Sequence, residues 1–204
     1  MTKYSKNCED SPALDSYGGF QEKMWVNQLT QKEIIINGEI REDIIEKAVI
    51  HIINFNKIDD EQEALVKDYV RTPITIFINS PGGYLDEAFS LISAIETSQT
   101  PVLTFGLGKC FSAAFLILLA GHVRACQKYT NLMYHQGSGG FAGEFGKHYE
   151  YVEHYKNCQD KVEQYVIEKT KIKKKKLEEI FKNKTDWFID PEEAKELGII
   201  DEII

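Results

Sequence analysis

A serine, a histidine and an aspartate, distant from one another in the chain, each stand where an α/β protein places reacting groups. Ser112 lies in GKCFSAAFLILLAG, where an apolar strand hands over to an apolar helix. Its oxygen then sits at the positive end of the helix dipole, which favours negative charge developing there. Strand-to-helix elbows expose nucleophiles in this way, although the G-x-S-x-G form is absent. An ordinary helix cap, or a core hydroxyl, accounts for the same stretch.

A serine hydroxyl is a weak nucleophile until a base takes its proton. Of the five histidines, His51 and His122 fall within or just after helices, and His148 and His154 are six apart on one helix, a spacing that pairs no metal ligands. His135 differs, because it ends an apolar strand and opens the glycine-rich HQGSGGFAGEFG, on the side of a sheet where sites form. A satisfied structural histidine is the plain alternative. Asp186, in NKTDWFIDPEEA, is a candidate to orient the imidazole, with Trp187, Phe188 and Ile189 anchoring its loop; otherwise it is a solvated turn residue. An oxyanion needs preorganised donors, and SPGG offers the Gly83 N–H, with that of Ala113 as its partner. Alone, SPGG is only a turn.

These residues require a scaffold, and a recurring unit supplies it: a short β-branched run, a turn, then an amphipathic helix, the pattern of an α/β protein with largely parallel strands. Glu33 to Ile36 makes a strand, followed by a helical stripe of Ile45, Ala48, Val49, Ile52 and Ile53, with Asp59 to Lys67 as an acidic connector. ITIFINS is a strand apolar on both faces, followed by a helix with Leu85, Ala88, Phe89, Ile92 and Ile95 inward. PVLTFGLG is the third strand; the helix after Ser112 is apolar all round and must be central. Thr130 to Tyr134 is a further strand. Phe145 to about Thr170 reads as one helix, with Phe145, Tyr149, Val152, Tyr155, Val162, Tyr165 and Val166 on one side. Such a helix outruns a domain of this size and suggests contact with another subunit. Asp190, Pro191, Glu193 and Gly198 punctuate a short helix before a final strand.

Composition sets the outer limits. The 204 residues, 43% apolar, can bury one core, and a formal net charge of −8 argues against general attraction to nucleic acid or anionic lipid. The run KIKKKKLEEIFKNK reads as a helix that Leu177, Ile180 and Phe181 make amphipathic, with a solvated lysine face. Four scattered cysteines indicate neither a disulfide framework nor a metal site, so they read as reduced thiols. Residues 1–28 read as a flexible arm and 29–204 as the folded body; without a signal-type or spanning segment, the expected location is cytoplasmic, away from membranes.

Four stretches, FINSPGGYLDEAFSLISAI, GKCFSAAFLILLAG, MYHQG and TDWFIDPEEAKELGIID, resemble in order and spacing the signature regions of the proteolytic subunit of the Clp protease, the ClpP family of serine peptidases. The resemblance implies Ser112 as nucleophile, His135 as general base, Asp186 as its orienting carboxylate, and the Gly83 and Ala113 amides as oxyanion hole. It further implies that the strand of Gly139, Gly140, Phe141, Ala142 and Gly143 pairs with an extended substrate. The implied fold is a crotonase-like spiral of ββα units with a long protruding handle helix, the handle region spanning about 136–170. The implied assembly is a homo-oligomer of heptameric rings, stacked as a tetradecamer, fed unfolded polypeptide by an AAA+ unfoldase. This subunit would bind no cofactor, ATP belonging to the partner. Gly137 stands where relatives commonly carry proline, and Lys184 and Thr185 where they tend to have an acidic residue and an arginine. The rival readings are a ring scaffold without activity and a crotonase-type acyl-CoA lyase or hydratase; the latter leaves Ser112, His135 and Asp186 unexplained.

Overall fold

A computed structural model describes residues 30–138 and 144–204. The expected arm, residues 1–28, and the expected substrate strand of Gly139, Gly140, Phe141, Ala142 and Gly143 lie outside the described residues. In chain order the elements are β1 (Glu33–Asn37), α1 (Glu42–Leu65), β2 (Ile74–Ser80), α2 (Leu85–Glu96), β3 (Val102–Phe111), α3 (Ala113–Ala120), β4 (Val123–Cys126) and β5 (Asn131–Tyr134). A 3-10 turn (Phe145–Lys147), α4 (His148–Lys169), α5 (Lys174–Asn183), β6 (Trp187–Ile189), α6 (Pro191–Glu196) and β7 (Glu202–Ile203) follow.

The sheet runs β1-β2-β3-β4-β7, with β5 also on β3 and β6 on β5. Among the described residues every pairing is parallel except β5 with β6. This is the expected mixed α/β architecture, with the strand–turn–helix unit repeated. Alternation in β2 is sharper than expected: Ile74, Ile76, Ile78 and Ser80 are fully buried, whereas Thr75, Phe77 and Asn79 are half-covered. Phe77 meets Phe105 of β3 edge to face, with ring centroids 5.6 Å apart, so the second face is still packed. All of α3 is buried, as an all-apolar helix must be, and it lies between α2 and α4.

β3 is the hub. Leu103 to Gly106 pair with β4, and Lys109 to Phe111 with β5, so one strand carries two neighbours in succession on one edge. It also runs beyond the expected PVLTFGLG, through Phe111. An irregularity opposite Asn79 shifts the register from Ile78↔Gly106 to Ser80↔Cys110, and the Lys109 N–H donates to Asn79 Oδ1 at 3.2 Å across it.

The acidic connector expected from Asp59 to Lys67 is instead helix as far as Leu65. Asp59 is wholly buried and accepts from Lys32 Nζ at 2.6 and 2.7 Å, from the Tyr69 hydroxyl at 2.7 Å, and from the Thr100 hydroxyl. The pairing with Lys32 overrides the polar pattern by making burial of this carboxylate tolerable. The C-terminal punctuation acts as read: Asp190 Oδ1 accepts the Glu193 N–H at 2.8 Å, Pro191 opens α6, and Gly198 follows at φ 68°. The long helix begins with the 3-10 turn, and its apolar stripe is only partly covered. Val162, Tyr165 and Val166 are buried, whereas Tyr149, Val152 and Tyr155 are exposed. No helix among the described residues is long and apolar enough to cross a membrane.

Asp59 generates a stability prediction. Burial alone would raise its pKa, but the hydrogen bonds from Lys32, Thr100 and Tyr69 and the Lys32 charge outweigh it and hold the carboxyl below its ordinary range. With the folded value depressed, the stabilisation is complete above the unfolded value near 3.8 and is lost as pH falls through the lower folded value. Asp59→Asn strands the Lys32 ammonium and should cost about 3 kcal/mol or more near neutral pH. Urea unfolding as a function of pH should show the gap between wild type and variant closing below about pH 4.

Candidate active site

Ser112 has φ 54° and ψ −119°, a conformation that residues with a side chain rarely adopt. The turn is held on both sides. Its N–H donates to the Met133 carbonyl at 2.9 Å, extending the β3–β5 ladder, while its own carbonyl accepts from Phe115 N at 3.0 Å and Leu116 N at 3.3 Å to begin α3. The side chain makes no capping hydrogen bond. Its oxygen lies instead 2.8 Å from His135 Nε2, so the cap reading is set aside.

The close neighbour of this turn is Gly82, at φ 95°. A Cβ there would stand 2.7 Å from the Phe111 carbonyl oxygen, 2.8 Å from Ser112 Cβ and 3.2 Å from Ala113 N, so only glycine lets the two chains approach this far. Gly83 is pressed equally close to Ile40, whose carbonyl a side chain would strike. Ile40 N donates to the Gly82 carbonyl at 2.8 Å and Tyr84 N to the Ile40 carbonyl at 2.9 Å. In a parallel bridge of that kind the central residue's own N–H points away from its partner, so the Gly83 amide is not spent on Ile40. The Ala113 N–H is the first amide of α3, one of the donors a helix start leaves open. From sequence Gly83 stands out as a donor, whereas the spacing role of Gly82 shows only in the fold, its one signal being the doubled glycine.

His135 and Asp186 meet through strand register. β5 and β6 pair Leu132↔Ile189, Met133↔Phe188 and Tyr134↔Trp187, and the next antiparallel rung sets His135 opposite Asp186. His135 Nδ1 lies 3.3 Å from Asp186 Oδ1, longer than a tight charge-assisted hydrogen bond. The imidazole is 26% exposed and the carboxylate 54%, so the pair stands at a wet rim. With the ring proton on the nitrogen facing Asp186, Nε2 is free to accept the Ser112 hydroxyl proton.

Asp186 reaches this place by a helix stop. Lys184 takes the left-handed conformation at φ 51° after α5, and the Lys184 and Thr185 amides donate to the Phe181 and Ile180 carbonyls, each at 3.3 Å, in a Schellman turn. The anchoring expected of Trp187, Phe188 and Ile189 is present, but as strand β6 rather than a loop. Ile189 is buried, Phe188 packs edge to face on Phe111 at 5.8 Å, and Lys176 Nζ lies 4.8 Å above the Trp187 ring.

The other histidines have other neighbours. His51 stacks on Phe55 at 6.0 Å, and burial lowers its pKa. His122 Nδ1 accepts the Val102 N–H at 2.9 Å. His154 lies against Tyr155 at 6.0 Å between ring centroids, and His148 opens α4. Among the described residues no group of three or more histidine, cysteine, aspartate or glutamate side chains is placed to hold a metal. Cys110, Cys126 and Cys158 are free thiols, and burial raises the pKa of both Cys110 and Cys126, the latter to about 11.

A hydroxyl touching an imidazole, beside a carboxylate and two open amides, can form and break an acyl bond. The family model described as Clp protease matches residues 19–204. Among curated proteins, the ATP-dependent Clp protease proteolytic subunit 1 of Rhodopirellula baltica is 26% identical over 192 residues, which cover 93% of this chain and 81% of that protein.

The backbone approach at Gly82 is testable. Gly82→Ala adds a methyl where backbone stands within 2.8 Å and forces a side chain to φ 95°, so it should destabilise by about 2 kcal/mol or more. Gly146→Ala, with nothing within 4 Å of the new atom, should stay within about 0.5 kcal/mol of wild type in the same urea titration.

Proposed function

The chain belongs to the Clp protease family, a family of peptidases, and on that premise we propose that it is a serine endopeptidase that cuts unfolded polypeptide through an acyl-enzyme on Ser112. The observation that carries this reading is the 2.8 Å contact between Ser112 Oγ and His135 Nε2, made by a serine whose side chain does not cap the helix it begins.

In this mechanism Ser112 Oγ attacks the substrate carbonyl carbon while His135 Nε2 takes its proton. The carbonyl oxygen becomes an oxyanion and is held by the Gly83 and Ala113 N–H groups. Asp186 keeps the ring proton on Nδ1 and stabilises the imidazolium. The C–N bond then breaks, His135 returns the proton to the leaving amine, and the acyl group remains on Ser112. Water attacks that ester with His135 again as base, releasing a carboxylate product and restoring the hydroxyl. The chemistry uses this chain's own groups and no cofactor.

Gly139, Gly140, Phe141, Ala142 and Gly143 are proposed to pair with the extended substrate backbone. The uncovered half of α4, with Tyr149 76% and Val152 67% exposed, fits a helix that packs on further copies of the chain, as in stacked heptameric rings. An AAA+ unfoldase would deliver the polypeptide and spend the ATP. A soluble cytoplasmic assembly of this kind needs neither membrane nor nucleic acid.

A fluorophosphonate probe should label the protein at Ser112, and labelling and peptide hydrolysis should both vanish in Ser112→Ala. His135→Ala should lower turnover by about 10⁴-fold or more. Labelling that persists in Ser112→Ala would overturn the assignment.

A further inference from the structure

We propose that Gln159, on α4, is a positioning residue for His135, gripping the chain on both sides of the imidazole. This role rests on His135 being the general base, as proposed above. Gln159 lies one turn before Val162, the residue at which α4 becomes buried. Its Oε1 accepts the Gly137 N–H at 3.4 Å, two residues after His135, and its Nε2 donates to Glu163 Oε1 at 3.2 Å. These two contacts together fix which end of the amide is which.

On the other side of His135 stands Tyr134. Its ring is 3% exposed, packs edge to face on Phe115 at 5.8 Å, and carries a buried hydroxyl that completes no hydrogen bond of good geometry among the described residues. Gln159 is the amide beside that hydroxyl and Glu163 the charge that bears on it. Burial and the Glu163 charge, opposed by a hydrogen bond with Gln159, push the phenol up to about 12, so it stays a neutral hydroxyl able to donate. Gln159 Oε1 has a second lone pair and one bond so far, so it can accept from both Tyr134 and Gly137. A small shift of the side chain closes this two-sided clip, and buried donors strongly favour being satisfied.

The consequence is mechanical. His135 sits where β5 has just ended and its own ring is partly exposed, so the backbone on either side decides whether Nε2 faces Ser112. Gly137 contributes the N–H that a proline at that position would lack. The clip ties the imidazole to α4 where that helix meets α3, the helix that Ser112 begins.

Gln159→Leu removes the acceptor while keeping size and helix propensity. On a short peptide substrate its kcat should fall about tenfold or more with KM within about twofold, because the base is misplaced while binding is untouched. The rate of fluorophosphonate labelling should fall in parallel. Tyr134→Phe should show the same split, and the double variant should be no worse than the more damaged single one. Gln159→Glu, which keeps an acceptor oxygen at the same reach, should recover most of the loss. Wild-type kcat in Gln159→Leu, additive losses with Tyr134→Phe, or no recovery in Gln159→Glu would overturn the role. Each of these differs from failure of the triad itself, in which Ser112→Ala would still be labelled. If thermal unfolding shows that Gln159→Leu does not fold, the volume-conserving Tyr134→Phe decides alone: a kcat loss at unchanged KM supports the clip and wild-type kcat refutes it.

Discussion

The backbone of Ser112 is held where few residues with a side chain rest, and the neighbouring segments leave it no alternative. The Met133 carbonyl fixes its N–H, the first turn of α3 fixes its carbonyl, and Gly82 lies so close that a single methyl would collide with it. A strained residue persists only when its surroundings over-determine it, and here three elements do so at once. The strain turns the side chain away from the cap position that helix propensity would assign to it.

From that point the sheet does the positioning by register. β3 delivers Ser112, its second half pairs with β5, and β5 pairs antiparallel with β6, so serine, histidine and aspartate arrive on successive strands at one end. At the start of β1, outside the site, the buried Lys32–Asp59 pair ties that strand's approach to α1, with Tyr69 and Thr100 completing the carboxylate's partners. The two regions divide the work: a satisfied polar cluster fixes the frame, and a strained turn at the strand ends presents the Ser112 hydroxyl to His135.

Much of this was legible beforehand, for identifiable reasons. The β-branched runs gave β1 to β3, the unbroken apolar run gave a central α3, and Asp190, Pro191 and Gly198 carry their own punctuation. Ser112, His135 and Asp186 stood out because each follows or precedes an apolar strand. Asp59 did not, because its counter-ion is 27 residues earlier and an acidic stretch reads as solvated until that partner is in place. β6 is three residues long, too short for alternation to register. Gln159 is an unremarked polar residue on a polar helix; only the fold shows that it faces the segment after β5.

β6 also has a consequence of its own. Among the described residues it pairs in the sheet with β5 alone, so Asp186 hangs from a border strand with three rungs of support, whereas Ser112 is rooted in the hub. Border strands open at a small fraction of the free energy that unfolds a core. Warming or mild denaturant should therefore detach the carboxylate from the imidazole while the serine turn and the central helix stay intact. The molecule would then lose the proposed chemistry before it loses its shape.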